Sequence, residues 1–180
     1  MIPSYLPLVG MAERHPGLTQ PIAACYVEAA RVCLDRHHMS PTEFTVQNGS
    51  ETVRAMVQWE TTDERVRSAW ANDIDATEAG AYACALAAVE LTGGLVAIRR
   101  AETGTGADYY IGPPDQPFDD LEGCLRLEVS GIDRGTAAAI ARRLQQKIEQ
   151  AAAGNSNLPA MAGVVGFRAQ LIQLKVVEVP

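Results

Sequence analysis

The sequence predicts an α/β protein in which helices pack on one mixed sheet, and three observations carry that expectation. Between Gly94 and Gly131 lie three short runs with strand character, Leu95 to Glu102, Ala107 to Gly112 and Cys124 to Ser130. Segments rich in Gly, Pro, Asp and Thr separate them. Ahead of them, Asp73 to Leu91 reads as a helix that is apolar all round from Ala79 to Val89, AGAYACALAAV, as a helix buried on most sides would be. Behind them, an amphipathic helix leads into a last extended segment. Strands joined by short connections pair as an antiparallel meander, and a helix between the third and fourth strands allows a crossover to a parallel partner.

Taken in order, residues 1–18 are an irregular lead-in broken by Pro3, Pro7 and Pro16. Thr19 then caps a helix with Pro21 in its first turn, and Ile22, Cys25, Tyr26, Ala29, Ala30 and Cys33 share one face. It ends near Arg36 to His38. Glu43 to Gln47 and Thr52 to Trp59 flank Asn48-Gly49-Ser50 as a hairpin, and Thr61 to Trp70 is a short polar helix or ordered loop. Asp75 and Glu78 have the spacing of a capping box for the buried helix, which Gly93-Gly94 ends. After Gly131, Asp133 caps a helix from Arg134 to about Ala153, with Ile140, Leu144, Ile148 and Ala151 facing inward. The closing segment, Gly163 to Val179, shifts its alternation near Leu171-Ile172, as a bulged or bent strand would.

Composition narrows the function classes. The 180 residues suit one domain with a sizeable core, 47% apolar and 21% charged. No apolar run is long enough to span a membrane, and the N-terminal segment lacks the pattern of a signal peptide, so a cytoplasmic protein is expected. Cys25, Cys33, Cys84 and Cys124 lack metal-site spacing and read as buried thiols. The net charge of −7 is concentrated in residues 1–93, with six basic and twelve acidic side chains (−6), against nine and ten (−1) in residues 94–180. Such a chain lacks a general attraction to nucleic acid. Acting on it would require a local basic patch, a divalent metal or a partner.

The chemistry concentrates in the meander. Asp108 and Glu128 lie in the second and third runs, where burying a carboxylate is costly unless it is paired or binds metal. On neighbouring strands they could converge on one ion, and hard oxygen ligands suit Mg²⁺ or Mn²⁺. Glu78, early in the preceding helix, is a candidate third acid. At roughly 100° per residue, Lys147 falls about 60° from Leu144 at the edge of the buried stripe, with Arg143 further round. The bland alternatives are a strand-start carboxylate for Asp108, an edge-strand pair with Arg126 for Glu128, a cap for Glu78 and a snorkelling lysine for Lys147.

This order, helix–strand–strand–strand–helix–strand with Asp108 in the second strand and Glu128 in the third, resembles the PD-(D/E)XK nuclease superfamily. The resemblance covers residues of about 73–179. It implies a restriction-endonuclease-like αβββαβ core over 73–180, with residues 1–72 as a helix-plus-hairpin extension. It further implies a metal held by Asp108 and Glu128, assistance from Glu78, and action on DNA in restriction, repair or phage defence in a bacterial setting. The family triplet Glu-x-Lys reads Glu128-Val129-Ser130 here, so Ser130 stands where the lysine is expected. Some members supply that lysine from the following helix, and Lys147 matches the position, with Arg143 or Arg134 as weaker substitutes. A chain without the lysine could instead be a non-catalytic interaction subunit of a larger complex. The acidity makes a partner protein or homo-oligomer plausible in either case. Gly104-Thr105-Gly106 lacks a following helix and the Walker lysine, so it reads as a hairpin turn. His37-His38 fits a helix end, and Tyr109-Tyr110 could stack a base.

Overall fold

The computed structural model describes residues 4–177. The elements, in chain order, are β1 (Ser4–Tyr5), α1 (Met11–Arg14), α2 (Gln20–Asp35), β2 (Thr42–Asn48), β3 (Glu51–Val57), α3 (Glu64–Ala69), α4 (Asp73–Gly93), β4 (Val96–Arg100), β5 (Tyr109–Gly112), β6 (Leu125–Ile132), α5 (Ala137–Ala152), β7 (Ala160–Gly166) and β8 (Leu171–Val177). All eight strands join one mixed sheet in the order β1-β3-β2-β8-β7-β6-β5-β4. The meander forms as expected: β4 and β6 both run antiparallel to β5. The crossover through α5 places β7 parallel to β6, with Glu128 opposite Ala162. No helix among the described residues is long and apolar enough to cross a membrane.

Helix α4 is the centre of the core. Every residue from Gly80 to Val89 is buried, so the small side chains read from the sequence let neighbours approach on all sides. A side chain at Gly80 would run into the Ala29–Ala30 backbone of α2, and one at Gly131 would strike Thr77 of α4. Glycine at those two points sets the α2–α4 and α4–β6 spacing. Strand β6 then divides its side chains between the two faces. Leu127 and Val129 join the core around α4, whereas Arg126 and Glu128 bond to α5 on the opposite face. Cys33, Cys84 and Cys124 are buried free thiols and Cys25 is exposed; burial pushes the Cys33 thiol up to about 12.

Four expectations need correction. The N-cap of α4 is Asn72, whose side chain accepts from Ile74 N and Asp75 N; Asp75 and Glu78 form no capping box. α5 is capped by Thr136, through Ala139 N. Asp133, expected at that cap, accepts instead from His37 at 2.8 Å and pairs with Arg36. The bent closing strand is two strands, β7 and β8, paired antiparallel about a turn at Phe167–Gln170; Glu178 and Val179 lie outside the described residues. The lead-in, of which residues 1–3 lie outside the described residues, is structured. β1 pairs with the outer edge of β3, and at the far edge Gly17 N donates to Ala97 O of β4. Both open edges of the sheet are thus partly covered by one short segment, which limits edge-to-edge association. Through β2, which runs parallel to β8, the hairpin extends the same sheet.

The fastening at β4 contains a titratable group. His15 is fully buried. Its Nδ1 accepts from Ala97 N at 3.0 Å, and Nε2 donates to Glu90 Oε2 at 2.9 Å. Burial lowers its pKa from 6.5, and the Glu90 contact only partly offsets this. The folded chain therefore binds fewer protons than the unfolded chain between the lowered value and 6.5. Stability from His15 is complete above that window and is lost as pH falls through the folded value. Thermal melts at about pH 7.5 and 5.5 should show a drop that is smaller in His15→Gln than in the wild type.

Candidate functional site

The site forms where the meander meets α5. Asp108 lies one residue ahead of β5, its main chain still bonded to both neighbouring strands through Leu127 O and Ala101 N. Its carboxylate is held on both oxygens. Oδ1 accepts from the Tyr82 hydroxyl of α4 at 2.8 Å, and Oδ2 accepts from Val129 N of β6 at 2.8 Å. Arg100, at the end of β4, approaches Oδ1 to 3.6 Å.

Glu128 is on the next strand, on the α5 side. It is buried, and its Oε1 accepts from Lys147 Nζ at 2.6 Å. Oε2 accepts no hydrogen bond from the described residues. Burial raises the Glu128 pKa, the Lys147 hydrogen bond lowers it, and the nearby Asp108 charge raises it again. The structure therefore brings Asp108, Glu128 and Lys147 into one neighbourhood. The edge-strand alternative for Glu128 does not hold. β6 lies between β5 and β7, and among the described residues Arg126 beside it bonds only to main-chain oxygens.

Position explains why Lys147 reaches. Helix α5 packs its apolar stripe on β7 and β8 and turns one flank to β6, so residues one turn apart on that flank meet alternate residues on one strand face. Lys147 meets Glu128, and Arg143, four residues earlier, donates from Nη1 to Ser130 Oγ at 2.9 Å. Ser130 has thus acquired a guanidinium partner from α5 at the position where the lysine was expected on the strand. Gln150 Oε1 also accepts from Lys147 at 3.1 Å.

A cleft of about 470 Å³ opens beside these residues, lined among others by Asp73, Glu78, Ser130, Asp133, Arg143 and Lys147. Glu78 is exposed on its wall. The acids Asp73 and Asp133 are both paired by Arg36, at the C-terminal end of α2, at 2.8 and 3.6 Å. Lys147 and Arg143 consequently present the cations of the wall. Asp108 and Glu128 are not themselves lining residues; they stand behind Val129 and Lys147, with side chains 18% and 7% exposed. Glu78 does not join them as a third ligand, because no group of three or more His, Cys, Asp or Glu among the described residues is placed to hold a metal. His37 and His38 bond to Asp133 and to Phe167 O, and Tyr109 and Tyr110 are both buried, which removes them as base-stacking surfaces.

A second group, not marked as a group by any local pattern in the sequence, lies behind Asp108. Arg100 Nη2 donates to the Tyr82 hydroxyl at 3.2 Å. The Arg100 guanidinium lies 4.8 Å from the ring centroids of both Tyr82 and Tyr109, and the Tyr109 hydroxyl meets that of Tyr26 at 2.7 Å. Burial and the Asp108 charge raise the Tyr82 pKa, so its hydroxyl stays protonated as a donor. Burial works against the Arg100 charge, but Tyr82, Tyr109 and Tyr26 hold its pKa above the ordinary arginine value. A tyrosine set in an otherwise small-residue helix was the available signal. Family models, curated proteins and solved structures give no match to this chain.

Proposed function

We propose that the chain is a cytoplasmic, divalent-metal-dependent phosphodiesterase of the PD-(D/E)XK kind that acts on DNA, with α4-β4-β5-β6-α5-β7 as its core. The observation that carries the reading is the 2.6 Å contact of Lys147 with Glu128 beside Asp108, which supplies an amine where Ser130 replaces the strand lysine. The donor set fits Mg²⁺ or Mn²⁺. Mg²⁺ is commonly held by one or two carboxylates with several waters retained, and Glu128 Oε2 is free of protein donors among the described residues. Asp108 and Glu128 would hold the ion. When bound, it would polarise the phosphodiester and lower the pKa of an attacking water.

The chain's own residues do the rest. Lys147 keeps Glu128 oriented and, 20% exposed toward the cleft, is placed to hold or relay a proton of that water. Arg143, exposed and tied among the described residues only to Ser130, offers a planar fork for a phosphate. Glu78 faces the same cleft and would assist through bound water. The −7 net charge favours a partner protein or a homo-oligomer that brings the DNA to the cleft, in restriction, repair or defence against phage.

A non-catalytic interaction subunit is the second reading. It is favoured by the Asp108 carboxylate, whose oxygens are already engaged by Tyr82, Val129 N and Arg100. Purified chain incubated with plasmid, linear and single-stranded DNA and with RNA, in Mg²⁺ or Mn²⁺, separates the two. Cleavage of DNA that disappears in both Asp108→Ala and Glu128→Ala is expected. No cleavage, or variants as active as the wild type, would favour the subunit.

A further inference from the structure

We infer that Tyr82 is a positioning residue for Asp108, an inference that rests on the metal-dependent reading above. A carboxylate turns freely about its terminal torsion, which has no sharp staggered wells. Asp108 is instead fixed by two donors on different elements: Val129 N of β6 on Oδ2 and the Tyr82 hydroxyl of α4 on Oδ1. The first belongs to the sheet and survives any side-chain change. The second sets which way the remaining lone pairs face.

The hydroxyl is itself held. Arg100 Nη2 donates to it and it donates onward to Asp108, so the hydrogen bonds run in one direction along the chain of three groups. The ring is locked by Tyr26 at 5.0 Å and Tyr109 at 5.8 Å between centroids, with the Arg100 guanidinium on its face. Tyr82 is 8% exposed and does not line the cleft, so it acts through Asp108 and does not touch a substrate. Outer partners of this kind typically account for about 10–100-fold in metal affinity or activity.

Mn²⁺ titration calorimetry and thermal melts of the wild type, Tyr82→Phe, Tyr26→Phe and Asp108→Asn test this. Tyr26→Phe removes a hydroxyl from the same cluster that bonds to Tyr109 and not to Asp108, so it reports packing alone. Tyr82→Phe should bind Mn²⁺ about 10-fold more weakly than the wild type, while Tyr26→Phe binds normally and melts at a similar temperature. Equal affinity in Tyr82→Phe and wild type, or equal losses in both tyrosine variants, would overturn the inference and leave the metal reading standing. A wild type that binds no Mn²⁺, or whose binding survives Asp108→Asn, would overturn both.

Discussion

Replacing Lys147 with Met is expected to slow DNA cleavage by about 10²–10⁴-fold, the usual contribution of a positioned acid–base group. The same change leaves Glu128 buried without its partner, at a cost on the order of 2 kcal/mol of stability. The two effects separate in the double variant Lys147→Met/Glu128→Gln. A neutral amide at position 128 no longer needs the ammonium, so urea unfolding should recover most of the lost stability while cleavage stays at the low level. Lys147→Arg keeps the charge but not the compact, rotatable donor, and should fall between. If Lys147→Met cleaves at the wild-type rate while unfolding earlier, the amine has a structural role only.

The second large effect concerns stability. Arg126 is 1% exposed, and its guanidinium ties three separate segments through their main-chain oxygens. Nε donates to Leu158 O at 3.0 Å, and Nη1 donates to Thr105 O at 2.6 Å and to Ala151 O at 3.2 Å. The last of these lies in the final turn of α5, where a cation also meets the negative end of the helix dipole. Arg126→Met keeps much of the volume but strands these carbonyls, and should cost about 3 kcal/mol in urea unfolding. Arg126→Lys retains the charge, loses the fork and should recover part of it. Faster proteolysis at residues 101–107 and 153–159 is expected in Arg126→Met, because those loops lose their common anchor. An unchanged unfolding midpoint would show that the three segments hold without it.

The parts of the fold that were legible in the sequence are those in which local pattern and burial agree. AGAYACALAAV can pack only where neighbours come close on every side, and α4 is such a helix. The alternation of Leu125, Leu127 and Val129 with Arg126, Glu128 and Ser130 correctly separates the α4 face of β6 from its α5 face. The place of Lys147 beside the buried stripe followed from helical periodicity, and it reaches the strand acid because that stripe packs on β7 and β8, which turns the neighbouring flank of α5 toward β6.

What remained hidden depended on partners far away in the chain. The turn at Phe167–Gln170 has none of the usual turn residues. Gln170 adopts φ 52 without being glycine, and its side chain is held by Thr42 Oγ1 and Glu43 O more than 120 positions earlier. Asp133 reads as a cap from its neighbours alone, but Arg36 and His37, just past the end of α2, claim it. Tyr82 reads as one more apolar residue of α4, because nothing local reveals that its hydroxyl meets Asp108. In each case a long-range hydrogen bond outweighs a local preference.

Asp108 and Glu128 are proposed to hold one divalent ion next to Lys147. Anomalous scattering from crystals grown with Mn²⁺ tests it most directly. One peak is expected at ordinary coordination distance, about 2.1 Å, from a carboxylate oxygen of each acid, and it should vanish in Asp108→Asn crystals. No peak at these two carboxylates under the same conditions, or a peak that persists without the Asp108 charge, would rule out a shared ion at this pair.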